Sequence, residues 1–212
     1  MHYEITKILS ANSANPDDVV VLLTAPTATA AFNIGGTTLH QAFSLPQSLT
    51  LPYIYLRDDT INKLRSKLQN LSILIIDEIS MVGQRSLLYI SERLRQIKQS
   101  GNALFGNISV IAVGDFYQLP PVKQKSLYDL RPGNSFPLWS SNFSLVELKQ
   151  VMRQKDDSVF ANLLNRLRVK RKSQHLSLQD EAILKSCEHH TIPLKRFTFL
   201  EPIKRLIHTT TK

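Results

Sequence analysis

Cysteine and tryptophan are nearly missing from this chain: Cys187 and Trp139 are the only examples among 212 residues. One thiol excludes an internal disulfide framework, fits a reducing compartment and makes no metal site by itself. No apolar run approaches the roughly 18 to 20 residues needed to cross a bilayer. The opening MHYEITKILSANSANPDD lacks the charged-then-apolar order of a signal peptide. These absences point to a soluble, intracellular protein without a membrane partner. The phosphate-cradling loop GxxxxGK[ST] is also absent, since no glycine here is followed by lysine. There is no internal repeat and no low-complexity segment.

Hydrophobic residues make up 42% of the chain, an ordinary share for a globular protein. The net charge of +9 is unevenly placed. Residues 1–148 hold 12 Lys/Arg against 11 Asp/Glu, whereas residues 149–212 hold 14 against 6. A basic third of this kind suits a polyanion, whose counterions it releases on binding, or forms a solvated basic surface.

Three aliphatic runs, VVVLLT (19–24), SILIID (72–77) and SVIAVGD (109–115), have the pattern of strands covered on both faces in a parallel sheet. Between the second and third, QRSLLYISERLRQIKQ places Leu87, Ile90, Leu94 and Ile97 on one helical face. Strands alternating with helices of this length predict an α/β fold with a parallel sheet. Tyr3–Ala11 has helical spacing, 119–137 reads as a long surface loop, and FSLVEL (143–148) reads as a further strand. Helices are expected over 157–172, with Val159, Phe160, Leu163, Leu164 and Leu167 on one face, and after Ser177 as N-cap. Phe32 and Phe43 read as core residues, and Trp139 as packing in a short helix or turn. CEHH (187–190) has the wrong spacing and too few ligands for structural zinc.

In an open parallel sheet, ligands gather beyond the carboxyl ends of the strands. Three runs end there in polar residues: Thr24, Asp77 with Glu78, and Gly114 with Asp115. A carboxylate at the tip of a buried strand is held rigidly yet reaches solvent, which suits Mg²⁺ bound through one carboxylate and water. A second beside it can orient or deprotonate an attacking water. The structural alternative is a strand followed by a helix start, where acidic residues suit the dipole. In GDFYQLPPV (114–122), Gly114 permits close backbone approach, Asp115 braces the loop, and Gln118 offers a neutral amide to a phosphate oxygen or water.

LLTAPTATAAFNIGGTTLHQAF, LIIDEISMV, FGNISVIAVGDFYQLPPV and ELKQVMRQKDD follow one another as they do in the Pif-type (petite integration frequency) DNA helicases, which the chain resembles from about residue 1 to 186. The resemblance implies a RecA-like P-loop NTPase sheet with flanking helices, incomplete at both ends. It also implies ATP hydrolysis coupled to 5′-to-3′ unwinding, with ATP and Mg²⁺ as cofactors. Single-stranded DNA and DNA junctions are the implied partners, a monomer the implied state, and the nucleus or mitochondrion the implied location. Residue by residue, Asp77 resembles the family's magnesium carboxylate, Glu78 its water-activating base, Gln118 its γ-phosphate sensor and Arg153 the arginine facing the transferred phosphoryl group. Thr24, Thr27 and Thr29 resemble its single-strand-binding motif, and Thr38 and His40 the adjoining DNA-facing segment.

The resemblance implies three parts: a first RecA-like domain over 1–155, a basic helical connection over 156–194, and the start of a second RecA-like domain over 195–212. HYEITKIL resembles the helix that follows the phosphate loop, so the chain is expected to begin just after that loop and to have little activity alone. Ala28 and Asn107 stand where the family pattern has glycine. Two other readings stay open: a non-catalytic single-strand-binding module using the basic third, and the motor of a RecD-like nuclease subunit. EISMVG, QLPPV and VMRQKDD fit the Pif-type pattern better than the RecD-like one.

Overall fold

The computed structural model describes residues 18–129, 136–148, 158–170 and 174–188. The aliphatic runs form β1 (Val21–Ala25), β3 (Ile73–Ile76) and β4 (Ser109–Ala112), joined by a two-residue β2 (Thr37–Thr38). Their order is β2-β1-β3-β4, and every neighbouring pair is parallel, in register Val21 to Ile73 and Ile73 to Ser109. A parallel sheet must be covered on both faces, and β3 shows that it is: Leu74 and Ile76 are fully buried on one face and Ile75 is buried on the other. β4 is only half-buried, and among the described residues it pairs with β3 alone.

Along the chain from β1 to β4 the described residues form the helices α1 (Ala28–Asn33), α2 (Leu39–Phe43), α3 (Asp58–Leu68) and α4 (Gln84–Lys98). The expected stripe of α4 is inside, with Leu87, Ile90 and Leu94 at 0% exposure. Asp58 and Asp59 in the first turn of α3 and Arg65 and Lys67 in its last complement the helix dipole. Residues 44–57, which hold no helix or strand, are fastened to α4 by side chains. Tyr89 donates from its hydroxyl to the Thr50 carbonyl at 2.7 Å, and Gln96 from its amide to the Leu56 carbonyl at 3.1 Å. Between α4 and β4 the chain turns through three consecutive positive φ angles, Phe105 at 51°, Gly106 at 65° and Asn107 at 63°. Asparagine tolerates that conformation better than most residues, which accounts for its standing where the family has glycine.

Two compact units, Met1–Glu147 and Leu148–Lys212, divide the chain. In the first, a short α5 (Pro137–Ser140) stacks Trp139 on Phe143 with ring centroids 4.5 Å apart, so Trp139 packs as expected. The strand expected over 143–148 is not formed. Leu145 and Val146 are 89% and 83% exposed, and without a ladder partner an apolar alternation does not make a strand. The second unit contains α6 (Ser158–Val169) and α7 (Leu178–Glu188). Leu163 is fully buried, but Val159 points outward at 58% exposure. Ser177 caps α7 by accepting from the Asp180 N–H at 3.1 Å. The helix expected over Tyr3–Ala11 lies outside the described residues, as do His189 and His190 of CEHH.

Candidate functional site

The carboxyl ends of β1, β3 and β4 are knitted together by short-range bonds. Asp77 donates its N–H to the Thr24 carbonyl at 2.8 Å, Val113 to the Ile76 carbonyl at 2.8 Å, and Ile79 to the Val113 carbonyl at 2.9 Å. The turn carrying Asp77 and Glu78 is therefore tied on both sides. Glu78 has φ 52° and ψ 46°, a left-handed conformation unusual for a residue other than glycine, asparagine or aspartate. Such strain persists only where the surroundings over-determine it, and it clusters at functional sites. Gly114 backs onto this turn so closely that a Cβ there would lie 2.8 Å from the Ile79 nitrogen. This close approach is what glycine permits. Asp115 then braces the next turn, its Oδ1 accepting from the Tyr117 N–H at 3.0 Å and its carbonyl from the Gln118 N–H at 2.9 Å. Asp77 and Glu78 end up half-buried and Gln118 exposed, all on the loops beyond the strand tips. Arg153 lies outside the described residues.

The threonines divide into three kinds. Thr24, expected to face DNA, is fully buried, and its hydroxyl donates to the Ile75 carbonyl at 2.8 Å across the sheet. That expectation is corrected: β1 turns this side chain inward, so it braces β3 and offers solvent no donor. Thr27 and Thr38 are N-caps, whose oxygens accept from the N–H groups of Ala30 and Gln41, each at 3.2 Å. Capping engages only the oxygen as acceptor, and each hydroxyl retains a proton to donate. Thr29 and His40 are exposed. Phe32, expected in the core, is 84% exposed at the end of α1, whereas Phe43 is fully buried as expected. The six-residue α1 buries only Ala31, which leaves Phe32 outside. Ala28 is the first residue of α1 and so lies in helical conformation, where alanine is well suited.

Thr27 and His40 line a small cavity of about 220 Å³ together with Met81, Ser86 and Gln124. Gln124 went unnoticed in the sequence, because no motif marks it. Its Oε1 accepts from the backbone N–H of Ser86 at 3.1 Å, and its Nε2 donates to the Ser86 hydroxyl at 2.9 Å. Ser80, two residues past Glu78, was also missed: its hydroxyl is buried without a hydrogen-bond partner. An orphaned polar atom costs about 1–3 kcal/mol unless a group from outside the chain completes it. Among the described residues no group of three or more His, Cys, Asp or Glu could hold a metal ion. No helix among them is long and apolar enough to cross a membrane.

Comparisons with known proteins agree with this geometry. The model of the PIF1-like helicase family matches residues 4–175. The ATP-dependent DNA helicase PIF1 of Candida albicans is 36% identical over 165 residues, which cover 70% of this chain and 17% of that protein. The ATP-dependent DNA helicase Pif1 of Campylobacter jejuni is 32% identical over 189 residues, 82% of this chain and 38% of that one. The chain thus spans well under half of either relative. The crystal structure of Pif1 helicase from Bacteroides in complex with ADP-AlF3 and ssDNA superimposes with a TM-score of 0.67 at 31% identity, covering 88% of this chain and 44% of that one. With a parallel RecA-like sheet, a carboxylate pair at its central strand tip and the motifs in family order, the chain belongs to the PIF1-like helicase family.

Proposed function

We propose that this chain supplies the first motor domain of an ATP-dependent DNA helicase, which couples ATP hydrolysis to 5′-to-3′ unwinding of DNA in the nucleus or mitochondrion. The observation that carries the reading is the tied turn of Asp77 and Glu78, pinned between Thr24 and Val113 beyond the strand ends. In this reading Glu78 orients the attacking water and takes its proton, and Gln118 hydrogen-bonds the γ-phosphate. Arg153 meets the charge developing on the transferred phosphoryl group. Asp77 fits Mg²⁺, an ion satisfied by one or two carboxylates with phosphate oxygens and water and needing no all-protein cage. When bound, the ion neutralises charge on the phosphates. Thr27, Thr29, Thr38 and His40 form the DNA face, where hydroxyl and ring N–H donors meet phosphate oxygens. The reading keeps the three-part division at 155/156 and 194/195.

The 212 residues contain no GxxxxGK[ST], so this polypeptide alone is expected to bind single strands without turning over ATP. That absence, with the exposed Thr29 and His40, also favours the second reading, a non-catalytic single-strand-binding module. ATP turnover with excess single-stranded DNA and Mg²⁺, alongside Glu78→Gln, tests whether these residues alone support ATP chemistry. Turnover that disappears in Glu78→Gln shows a self-sufficient motor with another phosphate cradle. Absence of turnover in a folded, DNA-binding preparation shows that ATP chemistry needs residues beyond these.

A further inference from the structure

A second and larger groove, of about 1040 Å³, lies between the start of α4, the loop 123–129 and Phe136. Its walls carry Arg85, Lys123 and Lys125 against a single carboxylate, Asp129. They also carry Tyr128, 39% exposed and packed on Phe116 at 4.8 Å. The floor is fixed: the Gln84 N–H donates to the Lys125 carbonyl and its Nε2 to the Ser126 carbonyl, both at 2.9 Å. Gln124 belongs to this groove and also to the small cavity lined by Thr27 and His40. One side chain, locked onto Ser86, is therefore a wall common to both.

We infer that a single strand of nucleic acid leaving the Thr27–His40 face passes Gln124 and runs into this groove, its phosphates on Arg85, Lys123 and Lys125 and a base against Tyr128. Cations spaced along a groove together with an exposed aromatic face are what single strands require: charge for the backbone and a flat surface for any base. The excess of positive over negative side chains gives the complementarity. The inference rests on the DNA-binding reading and extends it to residues outside the family motifs quoted above.

The test measures binding of a labelled oligothymidylate by the 212-residue chain at several salt concentrations. Each single-strand phosphate neutralised contributes about 0.7 to the slope of log affinity on log salt. R85Q/K123Q/K125Q should lower that slope by about 2. K123Q/K125Q, which keeps the Arg85 bond to the Leu49 carbonyl, should lower it by about 1.4. Y128L should weaken binding about tenfold with the slope retained. A wild-type chain that binds while both charge variants keep its slope overturns the groove and leaves the DNA face standing. A wild-type chain with no affinity for the oligonucleotide overturns both.

Discussion

The Arg93 guanidinium lies 5.2 Å from the centre of the Tyr53 ring and donates from Nη1 to the Tyr53 hydroxyl at 2.6 Å. Arg93 is 1% exposed, and its other bonds reach the Phe43 carbonyl and the Gln96 amide oxygen, each at 3.0 Å. One buried cation thereby ties the end of α2, the segment 44–57 and α4. Burial pulls the Arg93 pKa downward and pushes Tyr53 up to about 12, the neighbouring positive charge opposing the latter. The unfolded phenol loses its proton near 10.0 and the folded one later, so the folded state binds more protons in between. Stability is thus unaffected by Tyr53 below pH 10.0 and falls as pH rises from there to about 12. Urea unfolding of wild type and Tyr53→Phe across this range should show a steeper alkaline loss in the wild type.

Arg93→Met should destabilise the chain by about 3 kcal/mol, because it strips the donor from several buried oxygens. Chemical denaturation at neutral pH measures this directly.

Thr24 and Thr29 should separate stability from binding. Thr24→Val keeps the shape and removes the hydroxyl bonded to Ile75, so it should cost about 1 kcal/mol of stability with single-strand affinity unchanged. Thr29→Ala with His40→Ala should do the reverse, lowering affinity several-fold with stability within about 0.5 kcal/mol. Equal losses of affinity from Thr24→Val and the surface pair would contradict the assignment of Thr24 as a strut.

Gly83, the N-cap of α4, is needed for space. A Cβ there would lie 2.4 Å from the Gln124 Cβ, so Gly83→Ala should cost about 1–3 kcal/mol. Gln124→Ala would still leave a Cβ in the way, whereas Gln124→Gly should recover part of the loss in a double-mutant cycle.

The second unit has its own pH dependence. Arg166 donates to both carboxylate oxygens of Asp180, at 2.6 and 3.3 Å among three contacts, and holds its pKa below the ordinary 3.8. A depressed carboxylate stabilises the fold above the unfolded pKa and ceases to do so as pH falls through the folded one. Helicity followed by circular dichroism should therefore decline below pH 3.8 in the wild type, and Asp180→Asn should remove that part of the decline.

Local pattern made the sheet legible, and it did so best where burial is strongest. The runs around Leu22, Leu74 and Val110 could hardly be anything but strands, and α4 declared itself through Leu87, Ile90 and Leu94. FSLVEL misled because alternation records only which side chains avoid water; pairing depends on a neighbour that the segment does not itself encode. Phe32 misled for a related reason, since a six-residue helix has too few turns to bury an entire face. The placement of Asp77, Glu78 and Gln118 on the loops beyond the strand ends was readable from motif and strand pattern. Gln124 and the basic groove were not, because loop 123–129 meets α4 only through long-range contacts.

The left-handed backbone at Glu78 sets chemistry against ease of folding at one position. Glycine or asparagine would relax a conformation that costs glutamate about 1 kcal/mol or more. Random substitution followed by selection for thermostability alone should therefore drift toward those residues and discard the carboxylate. Stabilised descendants of this chain would be better folded and would lack the carboxylate that the proposed function assigns to water activation.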